Sequence, residues 1–374
     1  MTRLFLVGAG FIAREHASAA FDHRVVPGAV ELHVTDSNSA VLADFVALFP
    51  QAVPHPDATA MFAVERRPGD IAIVATPPVT HHALVVQALE AGLHVLCEKP
   101  LMMTPAEADD VEEVARRAGL VLECCDIRFD GLAATQEVKR LVAERALGTA
   151  YHVTFANTAR RARTGFDHLA QSGWFRDPSV SGGGVMMDWG PYDIAVLDEV
   201  LAPVRVEILH AWASAPQTGG PFEAESTRLE QHVGASMVLE DRDGVRVPVT
   251  YERAAATHGE ERSAVQIEGS AGAVGWDWLD WAGDGSVHFT SDRDGVPADA
   301  TTSFPPPEIG FHARPLARMV QLVRSGEAGS DEAASVTAGA VFRFDWVRAV
   351  LECAETGRPV SVTRTPALLG QGAS

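Results

Sequence analysis

Apolar residues in the first third of the chain fall into two alternating patterns. Short segments at 3–7 (RLFLV, an apolar run), 30–35 (VELHVT), 70–75 (DIAIVA, a buried strand), 93–97 (LHVLC) and 120–124 are predicted strands. Between them, apolar positions recur at helical spacing from about Phe11, over 39–49 up to Pro50, over 80–91 with Gly92 as the stop, and over 104–118. Thr104-Pro105 reads as an N-cap and first-turn pair, and Gly119 ends that helix. Strand alternating with helix predicts a doubly wound parallel sheet, the first domain, over residues 1–125.

After about Asp126 the rhythm changes. A helix predicted over 132–145 leads into longer, more separated strands at 149–157, 203–213, 229–240, 245–253, 263–269 and 286–291. Asp241-Arg242-Asp243-Gly244 reads as a hairpin turn between two of them. Helices at about 311–325 and 331–355 follow, and the tail 364–374 is expected to fray. Residues 126–374 are thus predicted to form a second, α+β domain: an open, mostly antiparallel sheet with helices on one face. Two helices are too few to cover both faces of six strands, so a homodimer or homotetramer is expected to form through that sheet.

Composition narrows the partners. The 374 residues suit two domains. With 30 basic and 50 acidic residues, the formal charge of -20 disfavours nucleic acid, whose phosphates need a basic surface. One local Arg or Lys would still serve a small anion. No basic leader with a cleavable apolar stretch precedes Arg3, and no apolar run reaches bilayer length, so a cytoplasmic protein with no membrane partner is expected. Cys97, Cys124, Cys125 and Cys353 lack metal-ligand spacing and a disulfide framework; reduced, structural thiols and no metal are expected.

The first strand-to-helix junction reads Gly8-Ala9-Gly10-Phe11-Ile12-Ala13, a G-x-G-x-x-A dinucleotide fingerprint. Gly8 permits the tight turn, Gly10 lets the backbone approach a pyrophosphate, and Ala13 keeps the helix close to the sheet. Asp36, at the end of the second strand, would accept hydrogen bonds from ribose hydroxyls and repel a 2′-phosphate. Ser37, Asn38 and Ser39 follow it with no Arg, which favours NAD over NADP. Capping the next helix is a second role open to Asp36.

Three further segments carry a resemblance: 74–82 (VATPPVTHH), 94–101 (HVLCEKPL) and 182–193 (GGGVMMDWGPYD). With the fingerprint, they resemble the glucose–fructose oxidoreductase / inositol dehydrogenase / rhizopine catabolism family (Gfo/Idh/MocA) over nearly the whole chain. The resemblance implies hydride transfer between NAD and a hydroxyl or keto carbon of a sugar, cyclitol or related polyhydroxylated compound. It places Lys99 in the active site with Glu98 beside it, makes Lys99-Pro100 a cis bond, and puts Thr76, Pro77 and His81 near the cofactor. A Lys at the C-terminal end of a parallel strand lies where open α/β sheets bind ligands, and its ammonium can stabilise an alkoxide. For His81 a structural role is equally open.

In the family's D-x-G-x-H signature, Asp188 matches and Tyr192 stands at the His position; the spacing of four puts both on one helix face. Ala195 replaces a further family Asp, while Asp193 lies next to Tyr192. A neighbouring ammonium lowers a phenol's pKa, so Lys99, Tyr192 and Asp188 form the candidate catalytic set. Packing is the alternative role for Tyr192. The basic segment 157–168, with Arg160, Arg161 and Arg163, resembles a pocket-shaping loop; Arg163 and Trp174 are candidate substrate contacts, and a solvated loop or subunit contact is the alternative. Gly182-Gly183-Gly184 would allow close backbone approach to a substrate, or form a plain loop. Two other functions share this fold: glycoside processing by transient oxidation on tightly held NAD, and non-enzymatic dinucleotide sensing.

Overall fold

Strand and helix alternate through residues 2–124 of the computed structural model, which describes residues 1–160, 162–215, 229–279, 285–293, 295–326 and 331–365. The elements are β1 (Thr2–Val7), α1 (Phe11–Ala20), β2 (Val30–Thr35), α2 (Ser39–Leu48), β3 (Val53–Pro54), α3 (Ala58–Phe62), β4 (Ile71–Val74), α4 (His81–Glu90), β5 (His94–Cys97), α5 (Pro105–Ala118) and β6 (Leu122–Cys124). The six strands form one parallel sheet in the order β3-β2-β1-β4-β5-β6. The order reverses direction between β1 and β4, and the loops leaving those two strands border the crevice where such sheets take ligands. Helix α5 starts where its sequence predicts: Thr104 Oγ1 accepts from the Glu107 amide and Glu107 accepts from the Thr104 amide, while Gly119 ends the helix at φ 65°.

The second sheet follows α6 (Ala133–Ala143). Its elements are β7 (Ala150–Thr158), α7 (Pro178–Ser181), α8 (Val185–Asp188), α9 (Gly190–Leu201), β8 (Arg205–Ser214), β9 (His232–Glu240), β10 (Arg246–Ala254), β11 (Arg262–Gly269), β12 (Gly272–Trp276), β13 (Ser286–Arg293) and β14 (Val296–Ser303). After them come α10 (Arg314–Arg324), α11 (Asp331–Thr356) and β15 (Val360–Thr363). The sheet has nine strands, not six, in the order β14-β13-β12-β11-β7-β10-β9-β8-β15. The three unforeseen strands give weak signals: β12 is short and holds two glycines, β15 has four residues, and β14 is mostly Ala, Asp and Thr facing solvent. All pairs are antiparallel except β7 with β10. The turn between β9 and β10 is built on Asp241, whose Oδ1 accepts from the Asp243 and Val245 amides, with Gly244 at φ 78°.

By contacts the chain divides into two units, and the division does not follow chain order. The first takes Met1–Arg128 and also Ile309–Phe344; the second takes Phe129–Glu308 and Asp345–Arg364. The expected boundary at 125/126 therefore has a second crossing. Its cause is α10, which buries Leu316, Met319, Val320 and Leu322 in the same core as Leu4, Leu6, Ile71 and Ile73. Within the first unit, the Leu122 amide donates to Thr337 Oγ1 of α11, and Arg343 bridges Glu123 and Asp126. Within the second, Trp346 of α11 donates to the Met237 sulfur on β9. Helices thus line the face of the nine-stranded sheet that carries Ile208, Met237 and Tyr251. Arg161 and the tail from 366 lie outside the described residues. No helix among the described residues is long and apolar enough to cross a membrane.

Candidate active site

The turn after β1 has the geometry its glycines predict. Gly8 sits at φ 103°, and a Cβ there would lie 2.5 Å from the Ala75 carbonyl oxygen, so only glycine fits between β1 and the loop leaving β4. A Cβ on Gly10 would meet nothing within 4 Å: the space above it is open. Gly10 is also the N-cap of α1 and brings no side-chain acceptor, which leaves the amides of Phe11, Ile12 and Ala13 for an anion. Phe11 is 53% exposed beside them, and Ile12 packs against the core. Thr76 and Pro77, half-buried, face this turn from the end of β4, and Thr76 Oγ1 bonds Thr80 Oγ1 at 2.7 Å.

Asp36 is held by backbone. Its Oδ2 accepts from the Ala9 amide inside the glycine turn at 2.8 Å, and its Oδ1 from the Asn38 amide at 2.8 Å. Helix α2 is capped by Asn38, whose side chain accepts from Ala40 and Val41. Capping is therefore not the role of Asp36. Its carboxylate is fixed at the rim of the turn, where a ribose hydroxyl would be read. The open glycine, the unfilled amides and the fixed carboxylate fit NAD.

Lys99 follows β5 on the same sheet edge, half-buried, and the Lys99-Pro100 bond is cis as expected. Glu98 before it is buried between His16 Nε2 at 2.9 Å and the Arg128 guanidinium at 3.1 Å. Burial alone would raise its carboxyl pKa; Arg128 and then His16 outweigh burial and hold it well below the usual range. Cys125 Sγ lies within 4.8 Å of the His16 and Glu98 ligand atoms, but Arg128 already supplies the cation that Glu98 needs. His81 is fully buried, its Nε2 2.9 Å from the Thr76 carbonyl and its Nδ1 3.0 Å from that of Pro100. It ties the loop leaving β4 to the segment carrying Lys99, the structural role its sequence left open. All four cysteines are buried, free thiols.

In the second unit, Asp188 and Tyr192 do not share one helix. The helix breaks at Trp189 between α8 and α9, because Pro191 has no amide to continue the ladder. Asp188 is half-buried and accepts from Thr164 Oγ1, so the basic loop docks on it. In that loop Arg163 pairs with Asp167 at 2.8 Å, and Arg163 and Arg176 both lie over the Phe166 ring. Trp174 stacks on Phe175 at 3.7 Å. Tyr192 is only 3% exposed, edge-on to Phe129 and Trp189. The glycine run serves an internal contact: a Cβ on Gly184 would sit 1.9 Å from the Glu230 carbonyl oxygen, and the Glu230 carboxylate accepts from the Gly184 and Met186 amides.

Several residues here were invisible to sequence reasoning. Asp193 is fully buried, paired with Arg253 and accepting from Tyr251 at 2.8 Å, and it anchors α9 to β10. His16, Arg128 and Glu230 act through partners 30 or more positions away, which no local pattern reports.

Two family models match the chain: an oxidoreductase family with an NAD-binding Rossmann fold over residues 2–124, and the GFO/IDH/MocA C-terminal domain over 135–275. The chain is 33% identical over 144 residues to the D-glucoside 3-dehydrogenase of Escherichia coli K12, covering 38% of each. It is 30% identical over 299 residues to D-xylose 1-dehydrogenase (NADP(+)) 2 of Haloferax volcanii, covering 78% of this chain and 80% of that one. The first curated relatives are matched over about a third to two thirds of their length. Among solved structures, levoglucosan dehydrogenase with NADH and levoglucosan superposes with a TM-score of 0.77 at 18% identity, over 97% of this chain and 100% of that one.

Proposed function

Because the chain belongs to the GFO/IDH/MocA oxidoreductase family, we propose that it moves a hydride between NAD and a hydroxyl or keto carbon of a sugar, cyclitol or related polyhydroxylated compound. The observation that carries this reading is the set on one sheet edge: an open Gly10, a backbone-fixed Asp36, and Lys99 after β5.

When bound, NAD supplies the acceptor for the hydride that leaves the substrate carbon. The unfilled amides of α1 hold the pyrophosphate, and Asp36 takes the ribose hydroxyls and repels a 2′-phosphate. Lys99 holds the substrate oxygen and stabilises the charge that forms as its proton leaves. Glu98 acts through position: fixed by His16 and Arg128, it fixes the backbone of Lys99, whose amide donates to it at 3.2 Å. Asp188 and Arg163 contact substrate hydroxyls or an acidic group, with Trp174 as an apolar wall. Tyr192 passes the proton through its hydroxyl.

A screen of sugars, cyclitols and sugar acids with NAD and NADP, followed by absorbance of the reduced cofactor, tests the reading. Turnover with free NADH released is expected. Tight NADH binding with no turnover on any of them would instead make the chain a sensor, and conversion of a glycoside with no free NADH would make it a glycoside-processing enzyme.

A further inference from the structure

The 3₁₀ turn Phe311–Ala313 belongs to the first unit although it lies some two hundred positions beyond Lys99 in the chain. Ile309 and Ala313 on either side pack into that unit's core, and the Ala313 amide donates to the Gly310 carbonyl at 3.0 Å, so His312 is presented from a fixed base. The turn packs against α1. His312 Nδ1 lies 3.9 Å from Oε2 of Glu15, which is on α1 two residues after the glycine fingerprint. The imidazole is 33% exposed, so one edge remains open to a ligand. His16, next to Glu15, holds Glu98, and Glu98 precedes Lys99. The charges of Arg128, Glu98, His16 and Lys99 all act on His312, so it lies beside α1 and near the Lys99 end of the sheet edge.

We propose that His312 hydrogen-bonds the nicotinamide half of bound NAD, through its ribose or its carboxamide. This rests on the NAD-dependent reading above. Its electrical state suits the role. Burial first, then the nearby Arg128 guanidinium, push the His312 pKa down to about 4; Glu98 opposes them, while His16 and Lys99 add to the depression. At neutral pH the ring is uncharged, and offers one donor and one acceptor rather than another cation beside Lys99.

Calorimetric titration of the intact protein with NADH, ADP-ribose and AMP tests this. His312→Ala is expected to weaken NADH by roughly three- to tenfold, the net worth of one hydrogen bond, and to leave AMP unchanged. His312→Gln, which keeps a donor and an acceptor, should recover part of the loss. ADP-ribose weakened in parallel with NADH assigns the contact to the ribose; ADP-ribose unchanged assigns it to the carboxamide. Equal NADH affinity in His312→Ala and the parent overturns the proposal, and so does an equal loss for AMP, which would mean a displaced α1. If the parent itself does not bind NADH, the NAD-dependent reading fails and the proposal falls with it.

Discussion

At the scale of single residues, the proposed function gives Asp36 the choice of cofactor. Both its oxygens are fixed by amides, so a 2′-phosphate would meet a carboxylate that cannot swing away. Kinetics with the two cofactors should show a clear preference for NAD, and Asp36→Ser should weaken NAD use and narrow the gap; preference for NADP in the parent would refute this role. If the Lys99 ammonium acts as proposed on charge formed in the transition state, Lys99→Ala should lower kcat far more than cofactor affinity. Tyr192→Phe keeps the ring against Phe129 and Trp189 and removes only the hydroxyl. If that hydroxyl carries the proton, kcat should drop roughly 10²–10⁴-fold; near-normal turnover would leave Tyr192 a packing residue. Acid should act in two stages. His312 has a folded pKa below its usual 6.5, so the unfolded chain takes the proton first, and stability falls as pH drops from about 6.5 towards 4. Half-buried His55 and buried His81 and His94 shift in the same direction, chiefly through burial, so each adds stability that is lost as pH falls below 6.5. Glu98, held low by Arg128 and His16, contributes stability above its ordinary 4.5 that is lost as pH falls below it. Urea midpoints from pH 8 to 4 should trace this decline, and His312→Gln should flatten only its upper part.

At the scale of elements, legibility followed the strength of the local signal. The strands β1, β4 and β5 were readable as largely apolar segments, β2 and β6 as short segments rich in Val and Leu, and α5 because its cap, first-turn proline and terminal glycine agree. Strand β14 was not, since a sheet-edge strand of Ala, Asp and Thr carries no alternation to read. The spacing of Asp188 and Tyr192 suggested one continuous helix, and Pro191 was the overlooked stop. The glycine fingerprint and the segment at Lys99 were legible because backbone needs and sheet-edge position are local. The partners of Glu98 and Asp193 were not, because a buried charge finds its counter-ion through tertiary contact. Helix α10 had the right period, but nothing in it says which sheet it covers. Its Leu316 is fully buried in the core of the first unit. Leu316→Ala should cost about 2–5 kcal/mol in urea unfolding and lower NADH-bound stability with it; a loss near zero would remove α10 from that core.

At the scale of the molecule, the nine-stranded sheet has helices on one face and a mixed surface on the other. That other face carries Ser236, Thr250 and Gln266, together with Trp212, which is 40% exposed and lies over Gly234 and His232. Exposed Leu209 is on the same strand as Trp212. We propose that this face meets a second copy of the chain. Light scattering at micromolar concentration should give a dimer or tetramer, and Trp212→Glu should shift it towards monomer; a monomeric parent would dismiss the idea.

The interleaving of the two units has a consequence for how the protein is made. A ribosome delivers β1–β6 first, but the helix that completes their core belongs to Ile309–Phe344. Residues 129–308 must be synthesised in between, which at about 5–20 residues per second occupies on the order of ten to forty seconds. During that interval Leu4, Leu6, Ile71 and Ile73 lack the covering that Leu316, Met319 and Val320 later provide. The first domain to leave the ribosome thus waits, with that apolar face uncovered, until the residues after 308 have been made.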